Sequence, residues 1–390
     1  MVVVDQPAQI TSAETESSDY LRALGYNDFS IEVNDQCNFH CNYCPYDTDE
    51  SHEFAVMDQG KAKEIIDQLA ADEALDGYLL FNVLGEPLMY NGLCDLIKYA
   101  NNAGLKTKVV TNGSLLTSKN IAALIDAGPT LLKISVESLD AAVFAELRGT
   151  TIRFETYIGR ISNMIARALE VGSSFRSYLQ LDLIYADAKV HALNRMCGIE
   201  AEDKGRTGLY SNKRKLNRDL AVFLNQLIDT RGVPTSRLEN RNRNPAAYND
   251  NAIPLVSISP KIGVHIKTYY RWDDMFARKY PVDDDGRGCD VDNLAVHADG
   301  RVVLCCVDYN ASTTIGNVFK QSLPEIMADP RNIKIIKDLR KGKFFFDGCK
   351  SCQGHTTFLG KYVFGTVRQK TTRRVLGAVK RKTKALARKS

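Results

Sequence analysis

Three cysteines near the start of the chain have a spacing that suits a metal cluster. Cys37, Cys41 and Cys44 occupy the segment CNFHCNYC, which places three thiolates on one short loop. Three thiolates can hold three irons of a [4Fe–4S] cubane and leave the fourth iron open to a substrate or cofactor. A structural zinc ion normally takes four ligands, so zinc would need His40 or a distant residue as well. The spacing therefore favours an iron–sulfur cluster, with zinc as the alternative.

A second set of cysteines comes from two separated segments near the C-terminal end. Its members are Cys289, Cys305, Cys349 and Cys352. Four thiolates can fully ligate a second [4Fe–4S] cluster or a Zn²⁺ ion. Between the first two, LAVHADGRVVLC is typical of a hairpin that turns at Asp299 and Gly300, so we expect this pair to be held on adjacent strands.

Alternating strand and helix patterns must position these cysteines. From about residue 28, β-branched segments alternate with amphipathic ones in the order FSIEVN, MDQGKAKEIIDQLA, YLLFNV, NGLCDLIKYANNAG, KTKVVT, TSKNIAALIDAG, LLKISV, FETYIGRISNMIARALEVG and YLQLDLIY, and GVHIKTYY supplies a sixth strand. Parallel neighbours need crossover helices, so the pattern predicts an α/β fold with a parallel sheet, closed into a full or partial barrel or left open. In each case ligands bind beyond the carboxyl ends of the strands, where the first cysteines follow strand one.

The chain divides into four predicted parts. Residues 1–27 form a polar lead-in, 28–280 the barrel with a long polar insertion at about 188–260, 281–360 a small cysteine-rich domain, and 361–390 a basic tail. The tail carries ten Lys or Arg residues and no acidic one between Arg368 and Lys389, which is typical of a solvated segment or of one that contacts an anionic surface. The lack of a secretion signal and of a long apolar run predicts a cytoplasmic protein.

The first cysteine group resembles the signature of the radical S-adenosylmethionine (SAM) superfamily, which has the same x3, x2 spacing and an aromatic residue, here Tyr43, before the last cysteine. The resemblance implies a partial (β/α)6 barrel similar to a TIM barrel. It also implies a cluster whose open iron chelates SAM, which an electron cleaves to a 5′-deoxyadenosyl radical. Segments similar to the family's SAM-binding motifs predict these cofactor-binding residues: Tyr43, Gly85, Glu86, Pro87, Asn112, Ser135 and Glu137. Glu137 stands where the family usually has Asp.

The second cysteine group resembles the SPASM and twitch extensions of this superfamily, which follow the order Cys, Gly-x4-Cys, IGN and Cys-x2-Cys. The distance from Gly300 favours Cys305 over the adjacent Cys306 as the ligand. No cysteine follows Cys352, so the one-cluster twitch form fits better than a full SPASM domain. The resemblance implies an auxiliary [4Fe–4S] cluster in this small C-terminal domain.

The predicted function is the oxidation of a small polar substrate, such as a sugar or cyclitol, by hydrogen abstraction and electron loss to the auxiliary cluster. A proton acceptor is then needed beside the substrate, and Asp182 and Asp308 are the candidate catalytic residues. A flavodoxin- or ferredoxin-type protein is the expected reductant. Two alternatives stay open: a radical SAM enzyme that modifies a peptide or protein, and a zinc-binding module that contacts nucleic acid through the basic tail.

Overall fold

The computed structural model describes residues 20–47, 54–71, 75–185, 213–231, 239–240, 255–268, 272, 288–289 and 292–353. The predicted basic tail, most of the lead-in and part of the insertion lie outside these ranges. Within them, no helix combines the length and the apolar composition needed to cross a membrane.

One sheet organises the described part of the chain. Six parallel strands lie side by side in chain order: β1 Asp28–Ile31, β2 Tyr78–Leu80, β3 Lys106–Thr111, β4 Leu131–Glu137, β5 Tyr178–Tyr185 and β8 Ile262–Thr268. Two strands of the insertion, β6 Glu239–Asn240 and β7 Val256–Ser259, continue the sheet antiparallel beyond β8. The sheet is open, which confirms the predicted α/β fold with a partial (β/α)6 barrel.

Helices connect the parallel strands and bury apolar side chains against the sheet. Four of them lie where the sequence pattern predicts helices: α2 Gln59–Ala71, α3 Leu93–Asn102, α4 Ser118–Ala127 and α6 Phe154–Val171. α1 Tyr20–Ala23 precedes β1, and α7 Lys213–Arg231 lies in the insertion. α5 Ala141–Arg148 is not predicted, because eight residues are too few to show a clear helical period. Asp140 caps α5 by accepting hydrogen bonds from the backbone of Ala142 and Val143.

The cysteine-rich segment extends the same sheet on the other side of β1. β9 Asn293–Val296 pairs parallel with β1 and antiparallel with β10 Arg301–Val303, so the predicted hairpin at Asp299 and Gly300 is present. β11 Thr314–Asn317 pairs with β10, and α8 Leu323–Ala328, α9 Pro330–Arg340 and α10 Asp347–Gln353 follow. The hairpin therefore docks directly on the barrel, while the predicted domain boundaries stay predictions.

A buried ion pair joins the barrel to this hairpin. His297 Nδ1 lies 3.3 Å from Glu32 Oε1, and His297 Nε2 lies 2.7 Å from the Asp308 carbonyl oxygen. Burial opposes protonation of the imidazole, but the Glu32 carboxylate and the Asp308 carbonyl outweigh it and raise the pKa of His297. Both ring nitrogens thus face acceptors, as a protonated histidine requires.

We expect His297→Gln to cost more stability near pH 6 than near pH 9. The pKa of His297 in the folded state lies above its unfolded value of about 6.5, so the ion pair contributes fully below that value and loses its contribution as pH rises through the folded pKa. Urea unfolding of the cluster-free wild-type and variant chains at several pH values measures this difference. A difference that grows towards alkaline pH would contradict the assignment.

Candidate active site

A cavity of about 290 Å³ lies at the carboxyl ends of the parallel strands. Most of the predicted radical SAM site residues line it: Cys37, Cys41, Tyr43, Cys44, Gly85, Glu86, Asn112, Ser135 and Glu137. Pro87 does not; it begins the short turn Pro87–Met89, which Glu86 caps. The structure therefore brings together residues from four separate segments that the sequence predicts as one site.

The loop that carries Cys37, Cys41 and Cys44, here called the cysteine triplet, rests on the C-terminal end of α5. The backbone N–H of His40 donates to the Arg148 carbonyl at 3.2 Å, and that of Asn42 donates to the Leu147 carbonyl at 3.1 Å. Gly149 follows at φ +50°, and a Cβ there would overlap the His40 carbonyl oxygen. The end of this unpredicted helix thus shapes the loop that presents the thiols.

The thiols of the triplet suit an iron–sulfur cluster. Burial raises the pKa of Cys37 to about 11 and that of Cys44 to about 12, so thiolates here need a strong cationic partner such as iron. Asn112 Nδ2 donates to Cys37 Sγ at 3.8 Å, and hydrogen bonds to cluster sulfurs tune the reduction potential. Among the described residues, no three His, Cys, Asp or Glu side chains converge closely enough to hold a single metal ion.

Glu86 connects the ends of β2 and β3 to the cavity wall. Its Oε1 accepts hydrogen bonds from Leu88 N–H at 3.0 Å and the Thr111 hydroxyl at 2.7 Å, and its Oε2 accepts from Asn112 N–H at 2.7 Å. A carboxylate has about four acceptor positions, so one remains for a ligand such as an ammonium group. Gly85 has φ +76°, and a Cβ would lie 2.6 Å from the Asn34 carbonyl oxygen, so only glycine fits the turn that presents Glu86.

A cluster of charged side chains lies at the end of β4. Glu137 Oε1 accepts from Lys267 Nζ at 2.6 Å and lies 3.5 Å from Arg148 Nη1. Arg148 also donates to the Tyr43 hydroxyl at 2.7 Å. Within the described residues, the buried atoms Glu137 Oε2 and Arg148 Nε have no hydrogen-bond partner. One acceptor and one donor in the wall of the cavity thus keep unused hydrogen-bonding capacity.

The backbone of Glu137 is strained. Its φ is +67°, which is uncommon for a residue with a side chain, and the register of β4 with β5 shifts at this point. Residues are held in such conformations mainly where the surrounding structure fixes them, often at functional sites. The family's usual Asp is among the residues that tolerate positive φ best, so the conformation is compatible with the motif to which Glu137 was assigned.

The cavity residues that are missing from the sequence-based prediction include Arg148, Lys267, Trp272 and Cys306. Lys267 carries a signal, because it alternates with the apolar Ile266 along β8. No sequence pattern indicates Trp272. Its backbone N–H donates to the Tyr43 carbonyl at 3.0 Å, and its indole N–H donates to the Val307 carbonyl at 2.6 Å. Trp272 therefore links the loop of the cysteine triplet to the segment after Cys305.

The two predicted catalytic carboxylates are not brought into the cavity. Asp182 lies on the inner face of β5, but it is fully buried, accepts from Gln180 and lies 3.0 Å from Lys133 Nζ. Asp308 is also fully buried, and its two carboxylate oxygens accept bonds from the backbone and hydroxyl groups of Ser312 and Thr313. These partners give both carboxylates a structural role.

The four predicted auxiliary ligands lie on the hairpin, α10 and the segment before β9. Cys349 and Cys352 are three residues apart on α10 and so share a face of the helix. Burial, together with the neighbouring Cys289 and Cys352 thiols, raises the pKa of Cys349 to about 12. A hydrogen bond with Cys306 and burial raise the pKa of Cys305, to which Cys289 also contributes. Cys289 thus contributes to the pKa of both Cys349 and Cys305.

Cys305 and Cys306 face different surroundings. The Cys289 thiol contributes to the raised pKa of Cys305, whereas Cys306 lines the cavity. We therefore expect Cys305→Ser to lose the auxiliary iron, about four atoms per chain, and Cys306→Ser to keep it. Iron and sulfide assays on reconstituted protein measure this. Equal iron loss in both variants would contradict the assignment.

Comparison with protein families identifies the class. A model described as the radical SAM superfamily matches residues 31–186, and one described as an iron–sulfur cluster-binding domain, SPASM, matches residues 289–353. The chain therefore contains a radical SAM domain followed by a SPASM-type domain. These domains imply a catalytic [4Fe–4S] cluster that works with SAM, and auxiliary iron–sulfur binding in the C-terminal region. This favours iron–sulfur clusters over the zinc alternative at both cysteine groups.

Curated relatives share only part of their length with this chain. An AdoMet-dependent heme synthase of Oleidesulfovibrio alaskensis is 30% identical over 124 residues, which cover 32% of this chain and 31% of the relative. A GTP 3′,8-cyclase of Edwardsiella ictaluri is 29% identical, covering 36% and 41%, and a PqqA peptide cyclase of Bradyrhizobium diazoefficiens is 28% identical, covering 30% of each. The matches thus span well under half of the relatives' lengths, and their names describe different reactions.

Solved structures with a similar course of the chain have low identity. anSMEcpe with bound AdoMet aligns with a TM-score of 0.49 at 13% identity, covering 91% of this chain and 95% of that one. BtrN in complex with AdoMet and 2-DOIA aligns with a TM-score of 0.44 at 16% identity, covering 81% and 88%. Likeness at this level carries no information about the reaction.

Proposed function

We propose that the chain is a radical SAM oxidoreductase that removes two hydrogens from a small polar substrate such as a sugar or cyclitol. The observation that carries the proposal is that Cys306 and Val307, which directly follow the predicted auxiliary ligand Cys305, line the same cavity as the cysteine triplet. A substrate held there would touch both the SAM side and the segment next to an auxiliary cluster. That arrangement suits a reaction in which hydrogen abstraction is followed by removal of an electron.

The chain's own residues bind and orient the reactants. Glu137 Oε2 would accept from a ribose hydroxyl of SAM, Arg148 Nε would donate to its carboxylate, and the free acceptor position of Glu86 would meet its ammonium group. Part of the cavity lining is apolar and includes Phe39, Leu80, Val83, Val110 and Ile184. When bound, the catalytic cluster supplies the electron that cleaves SAM to a 5′-deoxyadenosyl radical, and the auxiliary cluster supplies an acceptor for the electron that the substrate gives up.

The size of the cavity supports a small substrate over a peptide. Its volume of about 290 Å³ lies just below the usual range for ligand pockets, about 300–1,000 Å³, and SAM would share this space with the substrate. The proposal assigns no proton transfer to Asp182 or Asp308, because the hydrogen bonds and ion pair of these carboxylates hold them outside the cavity lining. A flavodoxin- or ferredoxin-type protein is proposed as the reductant of the catalytic cluster.

The test is a substrate screen on anaerobically reconstituted protein with dithionite and SAM. Panels of carbon-deuterated polyols and of short peptides are incubated, and 5′-deoxyadenosine and products are measured by mass spectrometry. We expect deuterium to enter 5′-deoxyadenosine from a polyol, together with a product that has lost two hydrogens. A cross-linked or cyclised peptide as the sole product, or a polyol product that is merely isomerised, would overturn the oxidoreductase proposal.

A further inference from the structure

The C-terminal residue of α9, Arg340, fixes the segment that carries the auxiliary ligand Cys289. Arg340 Nη1 donates to the Cys289 carbonyl at 3.1 Å, and Nη2 donates to the Gly25 carbonyl at 3.1 Å. The backbone N–H of Cys289 donates to the Leu339 carbonyl at 3.1 Å. Gly288 packs so closely that a Cβ would overlap the Arg340 carbonyl oxygen. Cys289 is thus held by both the side chain and the backbone at the end of α9.

Tyr26 connects Arg340 to the segment that contains Cys305. Its ring lies under the Arg340 guanidinium at 5.0 Å, within the range of a cation–π contact. Its hydroxyl donates to the carbonyl of Leu304, the residue before Cys305, at 3.1 Å. Tyr26 is fully buried, so the pair forms a fixed connection between the segments of Cys289 and Cys305.

The Arg340 guanidinium lies beside the backbone of both auxiliary segments. Its Nη1 donates to the carbonyl of Cys289 itself, and the ring beneath it belongs to Tyr26, whose hydroxyl donates to Leu304, the neighbour of Cys305. The cation also opposes the rise that burial produces in the pKa of Tyr26. A cluster with four thiolates gains a negative charge when it is reduced, and a fixed neighbouring cation stabilises that state.

We propose that Arg340 is a positioning residue for the auxiliary cluster that holds Cys289 in place and raises the cluster's reduction potential. This rests on the proposed function in one respect, since a higher potential suits a cluster that accepts the substrate's electron. In that step the substrate radical loses one electron to the oxidised cluster and one proton to water, and the cluster is reduced by one electron. The charge effect itself concerns only the cluster and the protein around it.

The test measures the potential of the auxiliary cluster alone. Full-length chain with Cys37, Cys41 and Cys44 replaced by alanine retains the auxiliary site, and its Arg340→Gln and Arg340→Lys variants are titrated electrochemically with detection by electron paramagnetic resonance. We expect Arg340→Gln to lower the ratio of reduced to oxidised cluster at least tenfold at a given applied potential, equivalent to about 59 mV for one electron. Arg340→Lys keeps the charge and should shift the ratio less. Arg331→Gln, an exposed change at the other end of α9, is the matched control and should match the parent.

Iron content separates the two parts of the proposal. Full auxiliary iron in Arg340→Gln with an unchanged potential would overturn it, whatever the outcome of the substrate screen. If Arg340→Gln loses iron while Arg331→Gln keeps it, the positioning role is supported and Arg340→Lys decides the charge effect. An iron-loaded Arg340→Lys variant within twofold of the parent ratio supports the charge effect, and one shifted tenfold or more overturns it.

Discussion

Replacing Cys37, Cys41 and Cys44 together by alanine should remove about four irons per chain and abolish cleavage of SAM. All three thiols line the cavity and lie on one loop held by α5, so they serve one cluster. The auxiliary cysteines lie on other segments, and the remaining iron should stay bound. Without the triplet, no iron is left with an open position for SAM in the cavity.

Iron and sulfide assays, electron paramagnetic resonance with and without SAM, and chromatography of 5′-deoxyadenosine measure these effects. Cys94→Ala on α3 is the matched control, because Cys94 does not line the cavity and should leave all three readouts unchanged. Retained SAM cleavage in the triple variant, or stoichiometric zinc with no SAM-sensitive signal in the parent, would contradict the assignment.

Arg148→Met should destabilise the chain by about 3 kcal/mol and sharply weaken SAM binding. Arg148 is 2% exposed, lies over the Phe39 ring at 4.8 Å, and donates to the Tyr43 hydroxyl. Methionine would fill much of the volume but would leave the buried Glu137 with Lys267 as its remaining cationic partner among the described residues. Removing one member of a buried charge cluster costs more than its contacts suggest, because the other charge stays desolvated.

Urea unfolding and equilibrium dialysis with SAM on the cluster-loaded chain provide the two measurements. Arg153→Met is the control; its side chain is 81% exposed, so its effect should stay within about 0.5 kcal/mol. Glu137→Gln combined with Arg148→Met should lose less than the sum of the single changes, because both act on one contact. An Arg148→Met variant as stable as the wild type would show that the charged side chains of Arg148, Glu137 and Lys267 contribute no net stability.

Elements with long, regular patterns could be predicted from the sequence. The apolar residues of α3, Leu93, Leu96, Ile97 and Ala100, follow helical spacing and are all buried, and the strands of the parallel sheet are rich in β-branched residues. The residues that line the cavity were found where a short motif fixes them, as in the cysteine triplet and at Gly85 and Glu86. Local sequence was enough in these cases because each motif is read within a few residues.

The rest depends on contacts between distant segments. Arg148 ends a helix of eight residues, and it reaches the site only because α5 docks under the loop of the triplet. Asp308 follows Cys306 by two residues and was expected near the substrate, but Ser312 and Thr313 turn back to bind its carboxylate. Local periodicity and residue spacing do not predict contacts between distant segments, so only the structure reveals them.

The pairing of β9 with β1 also constrains how the chain reaches its folded state. Ser30 hydrogen-bonds to Asn293 across 263 residues of sequence, and β9 covers the edge of β1 that the barrel's own strands leave unpaired. Contacts this far apart slow folding, because a long loop must close before they form. During synthesis, β1 presents an unpaired strand edge until the ribosome has released β9, and such edges readily pair with other chains. We therefore expect growing chains to be most prone to aggregation in this interval and to benefit from chaperones that bind exposed strands.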